Sequence, residues 1–249
     1  MGEKYYGLVP AAGLATRMRP FRYPKELLPV HFESAGNGGF IRPKLLIEYC
    51  LEAFSLALVN DIYIVVPDWK PEIMRYLEDG KQFGHHISYL YNSKAIGLAD
   101  ALLSGHRWLH DKTTCFAMPD TIFSPLSAFQ IILNSLKEKN ADLILGVFPT
   151  EEPGHFAPVE FDQYGKVLNI WEKPSQPMFN NTWGIAVWSR NFWEYFASFT
   201  NTLEPGVSIT QTFEKASKEG LRVFCEYFEK GWYRDFGRIS DISMIKGDQ

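Results

Sequence analysis

The chain has 249 residues, of which 46% are apolar and 22% are charged, and its formal net charge is −4. This length allows one substantial α/β domain or two small ones, and the composition excludes a disordered chain. The acidic balance, without any basic run, argues against non-specific nucleic-acid binding. No apolar run is long enough to span a bilayer, and no signal-peptide layout is present, so no membrane partner is expected.

The three cysteines are far apart in the sequence and match no metal-binding spacing: Cys50, Cys115 and Cys225. An odd number of isolated cysteines is typical of reduced thiols in a reducing compartment. A cytoplasmic location is therefore our expectation.

Short apolar runs alternate with helical periodicity through about residue 150. The predicted strands are Tyr5–Val9, Ile62–Val66, Ile87–Tyr91, Thr114–Ala117 and Leu143–Phe148. The predicted helices are Leu45–Leu58, Pro71–Asp79, Leu98–Leu109 and Ser127–Lys139. This alternation predicts an α/β fold, a Rossmann-like open and mostly parallel twisted sheet flanked by helices.

The pattern changes after residue 150 to shorter strands with turns between them. Predicted strands lie at 158–161, 167–171, 183–188 and 221–228, and predicted helices at 191–198 and 209–219. We expect one domain over residues 1–249, with a first half of about 1–150 and a smaller, β-rich second half of about 151–249. Ser34–Gly39 is expected to be a flexible insertion.

A loop of small residues follows the first predicted strand. Ala11, Ala12 and Gly13 allow backbone N–H groups to approach a polyanion, and Gly13 is expected to permit a turn that other residues resist. Arg17 adds a planar cation suited to phosphate oxygens. The loop is neither a dinucleotide fingerprint nor a Walker P-loop, which disfavours a dinucleotide oxidoreductase. By itself such a turn is common in α/β proteins.

The longer string AAGLATRMRP, followed by PKELLPV, resembles the signature of the sugar-phosphate nucleotidyltransferases, roughly G-x-G-T-R and then P-K. It is similar to glucose-1-phosphate uridylyltransferases and thymidylyltransferases, although Ala15 stands where the family usually has its second glycine. The resemblance implies that Arg17 and Lys25 are catalytic and neutralise a triphosphate. It also implies a nucleotide-binding loop of Ala11, Ala12, Gly13 and Thr16.

Further segments follow in the family's order. The run from Asn92 to Gly97 resembles the base-recognition segment, which implies a pyrimidine nucleotide, with UTP and dTTP ahead of CTP. Asp120 comes directly after a predicted strand, where open α/β sheets form their ligand crevice. It resembles one magnesium-binding aspartate of the family, and Asp235, in a stretch similar to W-x-D-x-G, resembles the second.

The second half carries the segments that the resemblance assigns to the sugar. Glu172 and Lys173 match the E-K-P motif, whose glutamate accepts hydrogen bonds from sugar hydroxyls and whose lysine meets the sugar phosphate, a catalytic contact. Ala157 replaces a glycine that lies against the sugar, and Gly184 is expected to allow close approach of the sugar. The halves are thus expected to bind nucleotide and sugar respectively.

Together these segments imply a magnesium-dependent transfer of a nucleoside monophosphate from a nucleoside triphosphate to a sugar 1-phosphate, with release of pyrophosphate. Two alternatives stay open: a cytidylyltransferase for another phosphomonoester such as phosphocholine, and a catalytically silent module of the same fold. The aromatic content of 15% keeps a homo-oligomer open as well.

Overall fold

A computed structural model of the protein describes residues 3–13, 23–35, 40–201 and 207–237. Three positions that the sequence singled out, namely Ala15, Thr16 and Arg17, lie outside these residues. The predicted roles of Thr16 and Arg17 therefore stay predictions.

The described residues form strands and α-helices in the following order. The strands are β1 (Tyr5–Pro10), β2 (Pro29–Ala35), β3 (Phe40–Leu45), β4 (Asp61–Val66), β5 (His86–Tyr91), β6 (Thr113–Ala117), β7 (Thr121–Ser124), β8 (Leu143–Pro149), β9 (Val159–Phe161), β10 (Val167–Ile170), β11 (Asn181–Trp188), β12 (Val223–Tyr227) and β13 (Trp232–Asp235). The helices are α1 (Leu46–Leu56), α2 (Pro71–Leu77), α3 (Leu98–Leu103), α4 (His106–Leu109), α5 (Ala128–Glu138), α6 (Arg190–Asn201) and α7 (Ile209–Lys218).

One seven-stranded sheet, in the order β12-β8-β11-β6-β1-β4-β5, organises the molecule. All of its strands run in the same direction except β11, which is antiparallel to both β6 and β8. Three two-stranded sheets, β10-β9, β13-β7 and β2-β3, accompany it. The predicted fold class, a mostly parallel α/β sheet with additional small β elements, is confirmed.

Neighbouring residues of one strand point to opposite faces of a sheet. The large sheet therefore has a core on each face, and helices cover both. Val9 and Ile144 belong to the core that packs against α1 and α5. Leu8 and Leu145 belong to the core on the other face, under α3, α6 and α7. Strands that are buried on both faces need continuous apolar runs, and the five first-half strands that were predicted, all in the large sheet, match to within one residue.

Several local predictions were wrong. The predicted helix 98–109 is two helices, α3 and α4. They are separated near Gly105, where a Cβ would lie 3.2 Å from the Leu8 side chain. Ser34 belongs to strand β2, which pairs with β3, so this part of the predicted flexible insertion is an antiparallel hairpin arm. Gly36–Gly39 lie outside the described residues.

The strand predicted at 183–188 is the eight-residue β11, an interior strand of the large sheet between β8 and β6. Strands β7 and β13 were not predicted. Within the described residues, no helix combines the length and the apolar character needed to cross a membrane. Cys50, Cys115 and Cys225 are buried and free.

Candidate active site

The predicted site residues that the structure describes lie at one edge of the large sheet. Ala11 follows β1, Asn92 follows β5, and Asp120 comes three residues after β6, all at the carboxyl ends of parallel strands. Gly184 lies at the same edge, because its neighbour Ile185 in antiparallel β11 pairs with Ala117 at the end of β6. This edge is where open α/β sheets bind ligands.

A buried ion pair occupies the centre of this edge. Lys25, the first residue of a 3-10 turn over Lys25–Leu27, bonds through its Nζ to Asp120 Oδ2. The two side chains are only 12% and 4% exposed. Burial opposes the positive charge, but attraction and hydrogen bonding to Asp120, with help from Glu26 and Asp235, outweigh it and raise the pKa of Lys25 above 10.5. Lys25 is therefore an ammonium throughout the physiological pH range.

Strand β13 brings the second predicted metal ligand to the first. Asp235 pairs with Thr121, the residue after Asp120, and the Phe236 N–H donates to the Asp120 carbonyl oxygen at 3.0 Å. Asp235 is also close enough to Lys25 to act on its charge. Two aspartates separated by more than a hundred residues thus share one cluster with Lys25.

The donor set of this cluster fits a magnesium ion bound together with phosphates. Asp120 Oδ1 is buried and has no hydrogen-bond partner among the described atoms, so one carboxylate oxygen is available. No group of three or more His, Cys, Asp or Glu side chains that could hold a metal exists in the described parts of the chain. Magnesium commonly takes one or two carboxylates and fills its other positions with water and substrate phosphates, so Asp120 and Asp235 suffice.

A second buried ion pair, which the sequence analysis missed, lies beside the first. Lys70 Nζ is 2.6 Å from Glu26 Oε1 and donates a 3.0 Å hydrogen bond to the carbonyl oxygen of Ala11. The side chains of Lys70 and Glu26 are 5% and 2% exposed. Burial raises the pKa of Glu26, Lys70 opposes that rise, and Asp120 adds to it. In the sequence, Lys70 resembles an ordinary surface lysine before a proline, so no local signal revealed it.

The two glycines predicted to contact nucleotide have open space where a side chain would lie. A Cβ added to Gly13 or to Gly97 would meet nothing within 4 Å. Gly13 is not among the described glycines with a left-handed backbone conformation, and Gly97 has an extended φ of 160°. Neither glycine is required by backbone conformation or by packing among the described residues, which leaves room for a ligand.

The side chain of Asn92 makes two hydrogen bonds, which connect its loop to the end of α3. Its Oδ1 accepts from the Lys94 N–H at 3.0 Å, and its Nδ2 donates to Ser104 Oγ at 3.0 Å. A base read by this amide would share or replace those bonds. The predicted contact between Asn92 and the base stays a prediction.

Of the predicted sugar-binding residues, Glu172 and Lys173 are exposed, whereas Ala157 and Gly184 are buried. The Ala157 N–H donates to Thr182 Oγ1 at 3.4 Å, which connects this segment to β11. The Lys173 N–H donates to the Phe156 carbonyl oxygen at 2.7 Å, and Lys173 has a φ of +46°. The side chains of Glu172 and Lys173 are exposed.

Gly184 lies where the two groups of predicted site residues meet. It packs against β13, the strand of Asp235, and it belongs to β11, which is bonded to Ala157. It is the extra residue of a bulge in β11, between Trp183 and Ile185. A Cβ there would lie 2.5 Å from the ring of Tyr233, so the described neighbour that requires a glycine is an aromatic ring of the protein. Tyr233 faces inward with Asp235 two residues later, because alternate residues of a strand share a face. The predicted contact between Gly184 and a sugar is untested.

A lysine–aspartate cluster and glycines with open space, all at the carboxyl edge of a mostly parallel sheet, are typical of α/β proteins that bind phosphates and nucleotides. The chain belongs to the nucleotidyl transferase family, whose model matches residues 6–248. The family resemblance drawn from the sequence is confirmed.

Individual relatives give more detail. A glucose-1-phosphate thymidylyltransferase of Neisseria gonorrhoeae is 29% identical over 182 residues, which are 72% of this chain and 58% of the relative. The chain spans less than two thirds of the length of the curated relatives it matches first.

Two solved structures share the fold. One is from Bacillus anthracis, is provisionally named a glucose-1-phosphate thymidylyltransferase and is in complex with sucrose. Its TM-score is 0.82 at 20% identity, over 97% of this chain and 93% of that one. The other is a UDP-glucose pyrophosphorylase in complex with UDP-glucose, with a TM-score of 0.78 at 18% identity over 97% of each chain.

Proposed function

We propose that this protein transfers a nucleoside monophosphate from UTP or dTTP to a sugar 1-phosphate, giving a nucleotide sugar and pyrophosphate. The observation that carries the proposal is the buried cluster of Lys25, Asp120 and Asp235, at the sheet edge where the loop Ala11–Gly13 begins. Relatives named for glucose-1-phosphate thymidylyl transfer support the reaction class.

The reaction is an in-line displacement. An oxygen of the sugar phosphate forms a bond to the α-phosphorus of the nucleotide, and the bond from that phosphorus to the bridging oxygen of pyrophosphate breaks. The electron pair and negative charge leave with pyrophosphate. Nucleophile and leaving group are already ionised at neutral pH, so no protein base is needed, and catalysis is positioning with charge neutralisation.

Each residue of the cluster has a role in this proposal. Asp120 and Asp235 would hold Mg²⁺, which neutralises phosphate charge when it is bound. Lys25, an ammonium at all working pH values, exchanges its partner Asp120 for the triphosphate when nucleotide and metal enter. Arg17 is proposed to contact the same triphosphate.

The acceptor side is proposed to use Lys173 for the sugar phosphate and Glu172 for sugar hydroxyls. Their backbone is fixed by the bond from the Lys173 N–H to Phe156, while both side chains are exposed and free to reach into the crevice. Ala157 and Gly184 would line the sugar.

The test is pyrophosphate release in the presence of Mg²⁺, with UTP, dTTP, CTP, ATP and GTP each paired with several sugar 1-phosphates and with phosphocholine. The proposal expects release only when UTP or dTTP is combined with a sugar 1-phosphate. Release that requires CTP and phosphocholine would identify a cytidylyltransferase instead. Nucleotide binding without release from any pair would support a silent module.

A further inference from the structure

Lys70 lies outside every segment that the family resemblance identified, and Glu26, although it follows Lys25 in the PKELLPV segment, received no role from it. Lys70 follows the end of β4, and Glu26 is in the turn that carries Lys25. Taking two such charges out of water costs several kcal/mol per ion unless good contacts compensate. Apolar side chains would fill this position without that cost, so the charged pair calls for an explanation beyond packing.

The contact between Lys70 and Ala11 supplies an explanation for this charged pair. Lys70 Nζ donates to the Ala11 carbonyl oxygen at 3.0 Å, and the Ala11 N–H donates to the Val65 carbonyl oxygen at 2.8 Å. The residue that leaves β1 is thus held on both of its backbone groups. Because the C=O and N–H of a trans peptide point in opposite directions, the Ala12 N–H points away from Lys70.

The same ammonium couples two segments of the site. Glu26 binds Lys70 at 2.6 Å, and its sequence neighbour Lys25 binds Asp120. One side chain therefore connects the loop Ala11–Gly13 to the turn that presents Lys25. Both hydrogen bonds of Lys70 are short, buried and charge-assisted, so they hold their partners in a defined geometry.

We propose that Lys70 is a positioning residue for the nucleotide triphosphate: through the Ala11 carbonyl it fixes the phosphate-binding loop, and through Glu26 it fixes Lys25. This inference rests on the proposed function for the identity of the ligand. Lys70 itself touches no substrate. Its loss displaces the groups that do.

The experiment measures UTP and dTTP binding by calorimetry, without acceptor, together with the melting temperature. Lys70→Met removes the ammonium and leaves the Glu26 carboxylate buried without its cation, so both affinity and stability fall. In the double variant Lys70→Met/Glu26→Met neither member of this pair is left as an unpaired buried charge, so most of the stability returns. The Ala11 carbonyl still lacks its donor, so nucleotide binding stays weaker by about tenfold, equivalent to one charge-assisted hydrogen bond.

Glu26→Gln is the matched variant. It keeps an acceptor for Lys70 and leaves the contact to Ala11 in place, so nucleotide affinity is expected to fall by less than it does in Lys70→Met. Asp142→Asn is the remote control. Asp142 is a buried carboxylate that binds Arg222 and Asn191 at the opposite edge of the sheet, so its loss lowers stability without changing nucleotide affinity.

The outcomes separate this inference from the proposed function. If the double variant binds nucleotide as tightly as the unmodified protein, or if Glu26→Gln weakens binding as much as Lys70→Met, the positioning role is wrong. If the unmodified protein binds nucleotide but transfers to no acceptor, the transferase proposal fails while the calorimetric test of Lys70 stands. An unmodified protein that binds neither UTP nor dTTP overturns both.

Discussion

The proposed nucleotide side and the proposed acceptor side of the site differ in how far their charged side chains are buried. On the nucleotide side, Lys25 and Asp120 are buried and bonded to each other, and two strands bring Asp235 beside them. On the acceptor side, Glu172 and Lys173 are exposed, and the described fixed contact of Lys173 is made by its backbone. In the proposed function, the groups for the triphosphate are therefore paired and largely buried, whereas the groups for the acceptor are exposed.

The largest effect is expected from Asp120→Asn. The substitution keeps the shape but removes a charge that both Lys25 and a bound metal need, so turnover is expected to fall by about a thousandfold. Steady-state pyrophosphate release, with the melting temperature as a check on folding, measures it. Turnover within tenfold of the unmodified protein would mean that the buried cluster is not the reacting centre.

Lys25→Met is expected to lower turnover by about a hundredfold and to strengthen metal binding. Without the ammonium, Asp120 is a buried carboxylate lacking its cation, which reduces stability by about 3 kcal/mol. Mn²⁺ should occupy the vacated partner position, so it should raise the melting temperature of the variant more than that of the unmodified protein. Equal Mn²⁺ effects on both would contradict competition between Lys25 and metal for Asp120.

Lys173→Ala is expected to act on the acceptor alone. An exposed side chain contributes within about 0.5 kcal/mol to stability, so the melting temperature should not change. The KM for sugar 1-phosphate should rise about tenfold, with calorimetric nucleotide affinity unchanged. Lys166→Ala, another lysine of the second half, is the control. A raised nucleotide dissociation constant in Lys173→Ala would remove the distinction between the two sides.

Gly184→Ala is expected to have the smallest effect on turnover and to act mainly through packing. The new methyl group meets the Tyr233 ring, and such overpacking costs about 1–3 kcal/mol. Gly184→Ala combined with Tyr233→Leu should recover part of that loss, because leucine is smaller than the ring. Urea unfolding of the three proteins measures it. Unchanged stability in the single variant would show that Tyr233 moves without cost.

The sequence predicted the strands of the first half well because a doubly buried strand requires a continuous apolar run with breakers at its ends, as in Tyr5–Pro10. The position of β11 was not predictable in the same way. The residues of β11 predict a strand, but its neighbours in the sheet are determined by distant segments of the chain. The hairpin β2–β3 was missed because Pro29 and Pro43 lie in its strands, and prolines argue against a strand locally.

The site shows the same division. Asp120 was foreseen because an acid directly after a strand falls at the ligand edge, and the structure brings Asp235 beside it. Lys70 and Glu26 were not foreseen, because their burial and pairing arise from tertiary packing and leave no local pattern. Gly184 was expected for a ligand, yet the described neighbour that needs its missing side chain is Tyr233.

The position of β11 also has a consequence for folding during synthesis of the chain. Strands β6 and β8 emerge from the ribosome before β11, and since β11 lies between them, their facing edges stay unpaired until residue 188 has been synthesised. Unpaired edges of apolar strands invite aggregation. A fragment that stops near residue 150 would carry that hazard permanently. Recombination between relatives at that point would likewise exchange an interior strand of the large sheet along with the proposed acceptor side.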